Sequence, residues 1–241
     1  MDLVADLHTH SVSSGHAYST VLEIARAAQV KGLAMVAITD HGPAMPGGPH
    51  AYHFGNLAAI PRRIYDVEIL CGAEVNVLDQ AGNVDLPVER LRTLDIVLAG
   101  LHTYCFPEGS VEDNTAGMIA AMRNPFIDII VHPGNPEFKV NPEKIVKAAA
   151  DIGIAIEINN SSLTISRAGS MCYCQKIADL AKKYGALVSI GSDSHIALSV
   201  GEFTVAAELV VAAGINPEQV ICTSAERVHQ YLAARRAKRP K

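Results

Sequence analysis

Short apolar runs alternate with amphipathic stretches along nearly the whole chain, about seven times over, and this alternation limits the fold more than any other feature. The apolar runs are Leu3–Leu7, Met35–Thr39, Ile69–Ala73, Ile96–Ala99, Ile129–Val131, Ala155–Ile158 and Leu187–Ile190. Helical patterns fall between most of them, at Thr20–Lys31, Pro87–Thr93, Thr115–Arg123, Pro142–Ile152, Ser170–Tyr184 and Phe203–Ala213. Local chemistry agrees with these assignments. Thr20-Val21-Leu22-Glu23 reads as a capping box, and Asn141-Pro142 as an N-cap followed by proline in the first helical position. Gly32, Gly153, Gly185 and Gly214 each stand just past a helical pattern, where a left-handed cap favours glycine. Asp79 to Asn83 reads as the turn of a small hairpin after the third strand. Strands alternating with helices predict a parallel sheet with helices outside. The strands are short, no Gly-x-Gly-x-x-Gly is present, and seven or eight units fit 241 residues. A closed or distorted barrel, one domain over residues 1–241, is therefore favoured over an open doubly wound sheet.

Composition narrows the function classes. Hydrophobic residues make up 49% and charged residues 19%, as in ordinary globular proteins. No apolar run approaches the ~18 residues of a membrane helix, and the N-terminus lacks the basic-then-apolar order of a secretory signal. A net charge of −5 disfavours nucleic acid as a partner. The one basic cluster, Arg235 to Lys241, is expected to be a solvated tail favourably placed at a helix end. Five cysteines without paired spacing argue against a disulfide framework and for a reducing compartment, so the expected location is cytoplasmic. Cys71 reads as a core thiol, and Cys172 and Cys174 as helix residues. A homo-oligomer is compatible with the sequence but not specified by it.

Parallel-barrel enzymes place their chemistry at the C-terminal strand ends. His8 and His10 follow the first expected strand, with His16 in the loop beyond; Asp40 and His41 follow the second, and Glu74 the third. His102 follows the fourth, His132 the fifth, Asn159 to Ser162 the sixth, and Asp193 and His195 the seventh. A single strand-end histidine is most often structural. A whole rim of them would bury many titratable groups without partners, a cost that divalent-metal coordination removes. In His8-Thr9-His10, residues i and i+2 of an extended segment point the same way, so both rings can reach one ion, and Asp193-Ser194-His195 repeats the arrangement. Glu74 is positioned to bridge two ions. Asp6, one step deeper on the face of His8, reads as a structural carboxylate or as an acceptor behind the ligands.

These residues resemble the PHP (polymerase and histidinol phosphatase) family, through Asp6-Leu7-His8-Thr9-His10, His16, Thr39-Asp40-His41-Gly42, Glu74, Gly100-Leu101-His102, His132-Pro133-Gly134-Asn135 and Gly191-Ser192-Asp193-Ser194-His195. The likeness is greatest to the short stand-alone phosphatases of the YcdX type, on Ser19-Thr20, His41-Gly42-Pro43, Ile158 to Ser162 with Arg167, and Gly201-Glu202-Phe203. The resemblance implies a distorted seven-stranded (βα)₇ TIM-like barrel with three divalent transition-metal ions, zinc first, with manganese or iron as alternatives. It implies that His8, His10, Glu74 and Asp193 hold one ion, Glu74, His102 and His132 a second, and His16, His41 and His195 a third.

The activity implied is a phosphomonoesterase acting on a small phosphorylated metabolite by in-line attack of a metal-bridging hydroxide, with Glu74, Asp193 and His195 as the catalytic set. Arg167, Asn135, Ser161 and Arg62 are the candidates to bind substrate, with Arg63 competing with Arg62. His50 and His53 are candidates to line the pocket mouth, and His229 reads as structural. A phosphodiesterase or nuclease could use the same ligands, although the chain has no tryptophan for a strand-binding groove. An amidohydrolase also opens with His-x-His but leaves His16, His41 and His195 unexplained. A metal-storage protein leaves Arg167 and the Asn/Ser segment without a role.

Overall fold

In a computed structural model describing residues 1–107 and 109–240, one sheet curls into a nearly closed barrel. Its strands are β1 (Ala5–Thr9), β2 (Met35–Ile38), β3 (Arg63–Ile64), β4 (Val67–Asn76), β5 (Ile96–Gly100), β6 (Ile129–Ile130), β7 (Ala155–Asn159) and β8 (Val188–Gly191). Seven run parallel in the order β1-β2-β4-β5-β6-β7-β8. The short β3, not expected from the sequence, pairs antiparallel with the start of β4, Arg63 opposite Glu68. The fold is the expected distorted (βα)₇ barrel. Its distortion has a local cause where β8 returns to β1. At the C-terminal ends the two meet at a single Thr9–Ser194 bridge, with His10 N donating to Ser194 O at 2.8 Å. At the other end residues 220–222 wedge between them: Val188 bridges Val220, and Val4 N donates to Cys222 O at 3.0 Å.

The helices are α1 (Val21–Val30), α2 (Ala51–Asn56), α3 (Val88–Leu91), α4 (Val111–Met122), α5 (Pro142–Ile152), α6 (Asn160–Thr164), α7 (Ser170–Tyr184), α8 (Thr204–Ala212) and α9 (Ala225–Arg236). The long ones cover the barrel through stripes at helical spacing: Ile24, Ala25 and Ala28 on α1, Ile145, Val146 and Ala149 on α5, and Cys174, Ile177, Ala178 and Ala181 on α7. Alanines in these stripes let the helices approach the strands, while each buried isoleucine contributes about 1.5–3 kcal/mol. Caps set the boundaries. Thr20 and Glu23 form the expected capping box, and Gly153 and Gly185 take left-handed backbone past α5 and α7. α4 begins at Val111 rather than Thr115 because Ser110 and Asp113 cap each other, Ser110 N reaching Asp113 Oδ2 at 3.0 Å. α2 arises near the Gly/Pro-rich loop because the His50 side chain caps Tyr52 N at 3.1 Å. The Asp79–Asn83 turn closes as expected, Leu78 N donating to Asn83 O at 2.8 Å.

The basic C-terminal cluster departs from expectation. Arg235 is buried, its Nη2 donating to Ile127 O at 2.6 Å, and Arg239 reaches Asp128 Oδ2 at 3.0 Å. Asp128 is wholly buried below β6 and needs cationic neighbours, which draws this end of α9 onto the barrel floor. Lys241 lies outside the described residues. Cys71, Cys174 and Cys222 are buried thiols, with Cys172 and Cys174 on α7 as expected. No described helix is long and apolar enough to cross a membrane.

Candidate metal centre

The pleat of β1 turns His8 and His10 to the same side, with their Nε2 atoms 3.1 Å apart. Asp193 follows β8 on left-handed backbone (φ 53°), an uncommon conformation for aspartate, and its Oδ1 lies 3.3 Å from His10 Nε2 and 3.6 Å from His8 Nε2. Glu74 projects from β4, its Oε2 3.5 Å from both rings. Donors ~2.0–2.2 Å from one tetrahedral ion stand roughly 3.3–3.6 Å apart, so this quartet has the spacing of a coordination shell. The other oxygen, Glu74 Oε1, lies 2.9 Å from His102 Nε2 and 2.8 Å from His132 Nε2. Glu74 therefore faces both groups, as a bridging carboxylate would.

His41, His16 and His195 gather beside the first group. His10 stacks on His41 and His195 at 4.4 and 4.3 Å between ring centres, and His16 stacks on the same two at 5.0 and 4.9 Å. By donor atoms the tight groups are His10-His41-His195, His8-His10-Asp193 and His41-Glu74-His102. His16, exposed at the mouth, stays outside these tight groups, and His10 stands in its place beside His41 and His195.

Two buried atoms suit a cation at this point. His41 Nδ1 and Glu74 Oε2 lie 2.8 Å apart, yet neither has a hydrogen bond of acceptable geometry. An imidazole lone pair and a carboxylate oxygen aimed together in a buried site are costly alone and suited to a shared cation. The titration behaviour agrees. Burial, then the neighbouring His41 and His195, lowers His10 to about 3, so its ring is neutral. Burial, then Arg167, lowers His132 to about 4. Burial would raise Glu74, but His102, His41 and His8 outweigh it and hold the carboxylate well below its usual range. Burial opposes charge on His8 as well, yet Glu157, Asp193 and Glu74 together raise it well above the usual histidine value. The carboxylates around His8 thus favour positive charge there.

Behind these donors lies a set of residues that sequence reasoning missed. Glu157, buried within β7, accepts from His8 Nδ1 at 2.8 Å, from the His132 backbone N–H at 3.0 Å and from Asn159 Nδ2 at 2.9 Å. Asn76 Oδ1 accepts from His102 Nδ1 at 2.7 Å, and Asp85 holds Asn76 in turn. Ser14 Oγ faces His10 Nδ1 at 3.1 Å and donates to Asp40 Oδ1 at 2.7 Å. His195 Nδ1 donates to Asp193 O at 3.0 Å. In His8, His102, His10 and His195 these contacts engage Nδ1 and leave Nε2 to face the centre, the usual arrangement behind metal-binding histidines. The available signal was a polar residue two positions from a strand-end residue, hence on the same face: Glu157 before Asn159, and Asn76 after Glu74. Asp6 is structural, its carboxylate bound by Ser192 Oγ at 2.5 Å and Gly201 N at 2.9 Å.

A cleft of about 930 Å³ opens over the centre, lined by His16, His41, His102, Asp193 and His195 together with Arg167, Asn135 and Ser161. Arg167 Nη1 donates to Asp193 Oδ2 at 2.8 Å, so its charge is partly committed to a metal-facing carboxylate. Asn135 Oδ1 accepts from Glu137 N at 3.0 Å, which leaves its amide N–H groups to donate. Ser161 Oγ pairs with Ser166 Oγ at 3.1 Å. Arg62 is a correction: it pairs with Asp95 at the start of β5, at the opposite end of the barrel, because the β3–β4 hairpin carries it there. Arg63 is part of the same hairpin. His50 caps α2 and His53 turns to Asp40 at 3.3 Å, so neither lines the cleft. His229 pairs with Glu68 at 3.0 Å on the outer surface.

Comparison with known proteins agrees with this geometry. The chain is 51% identical over 235 residues to a protein described as a probable phosphatase from Caldanaerobacter subterraneus, covering 97% of this chain and 92% of that one. It is 48% identical over 239 residues to another from Thermoanaerobacter sp., covering 99% and 98%. Among solved structures it resembles the Lactococcus lactis histidinol phosphate phosphatase, solved with zinc, L-histidinol and phosphate. That likeness has a TM-score of 0.65 at 17% identity, covers 90% of this chain and 95% of that one, and speaks to the fold. The PHP domain model matches residues 6–235. With the barrel, the strand-end histidines and the central Glu74 carboxylate in place, the chain belongs to the PHP family.

Proposed function

We propose that this PHP-family protein is a metal-dependent phosphatase that hydrolyses a small phosphate monoester at a trinuclear centre. The observation that carries the reading is Glu74, whose two oxygens face separate groups of imidazoles. His8, His10, Glu74 and Asp193 would hold the first cation, Glu74, His102 and His132 the second, and His16, His41 and His195 the third. Zinc suits this mixture of imidazole and carboxylate, as do manganese and iron. When bound, such cations would supply hydroxide near neutral pH and neutralise phosphoryl oxygens.

The chain's own groups prepare that chemistry. Glu157, Asn76 and Ser14 fix the Nδ1 sides of His8, His102 and His10, so the donor atoms need no reorganisation. Arg167 orients Asp193 and presents its remaining N–H groups to the cleft, where a phosphoryl oxygen would accept them. The Asn135 amide and Ser161 hydroxyl are further donors on the same wall. Among the described residues Arg167 is the only arginine or lysine lining the cleft, against Glu137, Glu202 and Asp193, which disfavours a nucleic-acid strand. That no described cleft residue is a lysine also disfavours the modified-lysine amidohydrolase plan. The cytoplasmic location suggested by the thiols belongs to this proposal.

The test combines elemental analysis of metal-replete protein with phenol release from phenyl phosphate and from diphenyl phosphate, a readout common to both bonds. About three ions per chain and a clear preference for the monoester are expected. Two ions or fewer would overturn the trinuclear centre, and a preference for the diester would overturn the monoesterase reading.

A further inference from the structure

Four loops at the C-terminal rim each place one large apolar side chain on the cleft wall: Tyr18 after β1, Tyr104 after β5, Ile165 after β7 and Ile196 after β8. Tyr104 and Ile165 are 85% and 82% exposed, so most of their surface stays in water where burial would be favourable. Hydrogen bonds anchor their mounts. Tyr18 N donates to His195 O at 2.8 Å, and Ile165 N to Ser161 O at 2.9 Å. Ile196 O accepts from Ser194 Oγ at 2.7 Å and Ser199 N at 2.9 Å. Tyr104 is the most telling. It adopts φ 72°, a left-handed conformation unfavourable for a bulky residue. The surrounding turn enforces it: Cys105 N and Phe106 N both return to His102 O at 3.1 and 3.0 Å, and Phe106 is buried against Phe138. Backbone strain is thus accepted two residues beyond a metal-facing histidine, and its result is an aromatic ring held out over the cleft.

The charges of the cleft point the same way. Among the described residues Arg167 is the one arginine or lysine of the cleft and is paired with Asp193, whereas Glu137 receives the Thr103 hydroxyl at 3.3 Å and no described cation. A second negative group on a ligand would meet Glu137 without a matching cation. We propose that this rim is the subsite for the alcohol half of the substrate, and that it selects phosphate monoesters with an aromatic or branched apolar body and no second anionic group. The inference rests on the phosphatase reading and names its substrate class. Preorganised apolar walls give selectivity because the ordering cost is already met before binding.

Three alkyl esters with similarly poor leaving groups test it on the metal-replete protein: 2-phenylethyl phosphate, ethyl phosphate and 3-carboxypropyl phosphate. We expect kcat/KM for the phenylethyl ester to exceed that for the ethyl ester by about ten-fold or more, with the carboxylate ester poorest. Y104A and I165A should each bring the phenylethyl-to-ethyl ratio toward one, while Y104F, which retains the ring, should preserve it. Equal rates on the three esters, or an unchanged ratio in both alanine variants, would overturn the subsite and leave the phosphatase reading standing. Hydrolysis of none of them would overturn both.

Discussion

Glu157→Gln isolates the role of the hydrogen-bonded groups behind the metal donors. The native carboxylate accepts three hydrogen bonds, from His8 Nδ1, the His132 backbone and Asn159 Nδ2. Glutamine has the same shape but only one accepting oxygen. If that oxygen serves His132 and Asn159, the new NH₂ faces His8 Nδ1. His8 must then move its proton to Nε2, the nitrogen that faces His10, Glu74 and Asp193. A hydrogen bond to a charged group is worth about 1.5–3 kcal/mol, and loss of such partners typically lowers metal affinity about 10–100-fold. The effect should fall on the proposed first ion, with the proposed sites at His102 and His132 and at His16, His41 and His195 still filled. Competition with a chromogenic zinc chelator measures the affinities, and elemental analysis gives the stoichiometry. Zinc binding within two-fold of the parent at all sites, with the fold intact by circular dichroism, would refute the reasoning.

Other predictions follow from the same contacts. Glu74→Gln and Asp193→Asn should each lower phosphate release by about 10²–10³-fold or more with an unchanged circular dichroism spectrum; near-normal turnover in either would contradict their assignment. Asn76→Ala removes the partner of His102 Nδ1 and should weaken the second ion about ten-fold in the chelator assay. Tyr231→Phe removes a hydroxyl that accepts from Ala155 N at 2.8 Å and donates to Asp128 O, and should cost about 1–3 kcal/mol in urea denaturation. Burial outweighs Arg239 and Arg235 and holds Asp128 at about 6 against an ordinary 3.8. The folded chain therefore binds this proton more tightly than the unfolded chain. Its stabilising contribution is complete below about pH 4 and falls, by about 3 kcal/mol, as pH rises to about 6. Denaturation of Asp128→Asn should lack that component of the slope.

The sequence could be read furthest where chemistry and strand geometry coincide. A histidine pair at i and i+2, or an Asp-Ser-His at a strand end, has one plausible orientation, so His8, His10, Asp193 and His195 were legible from spacing and the barrel rule. Glu157 was not, because a carboxylate between Ile156 and Ile158 looks like an interruption of an apolar strand until its partner across the barrel is known. Arg62 failed for the opposite reason. Its position in the chain says nothing of which end of the barrel it occupies, and a two-residue antiparallel strand decided that. Near the C-terminus, Arg235 and Arg239 read as solvent-facing charges because the buried Asp128 that draws them in lies more than a hundred residues away. In each case the missing information was a long-range contact rather than a local preference.

The seam between β8 and β1 has a consequence for how the barrel behaves as a mechanical object. His8 and His10 stand on one side of it and Asp193 on the other, with a single backbone bridge between the two strands at that level. A cation gripping all three would act as a rivet across a joint of the cylinder where the two strands share a single bridge rather than a ladder. Stripping the ions should therefore loosen the molecule first along this joint, with faster amide exchange at His10 than in the middle of β4 or β5. The same cluster that equips the centre for catalysis would then also keep the barrel shut.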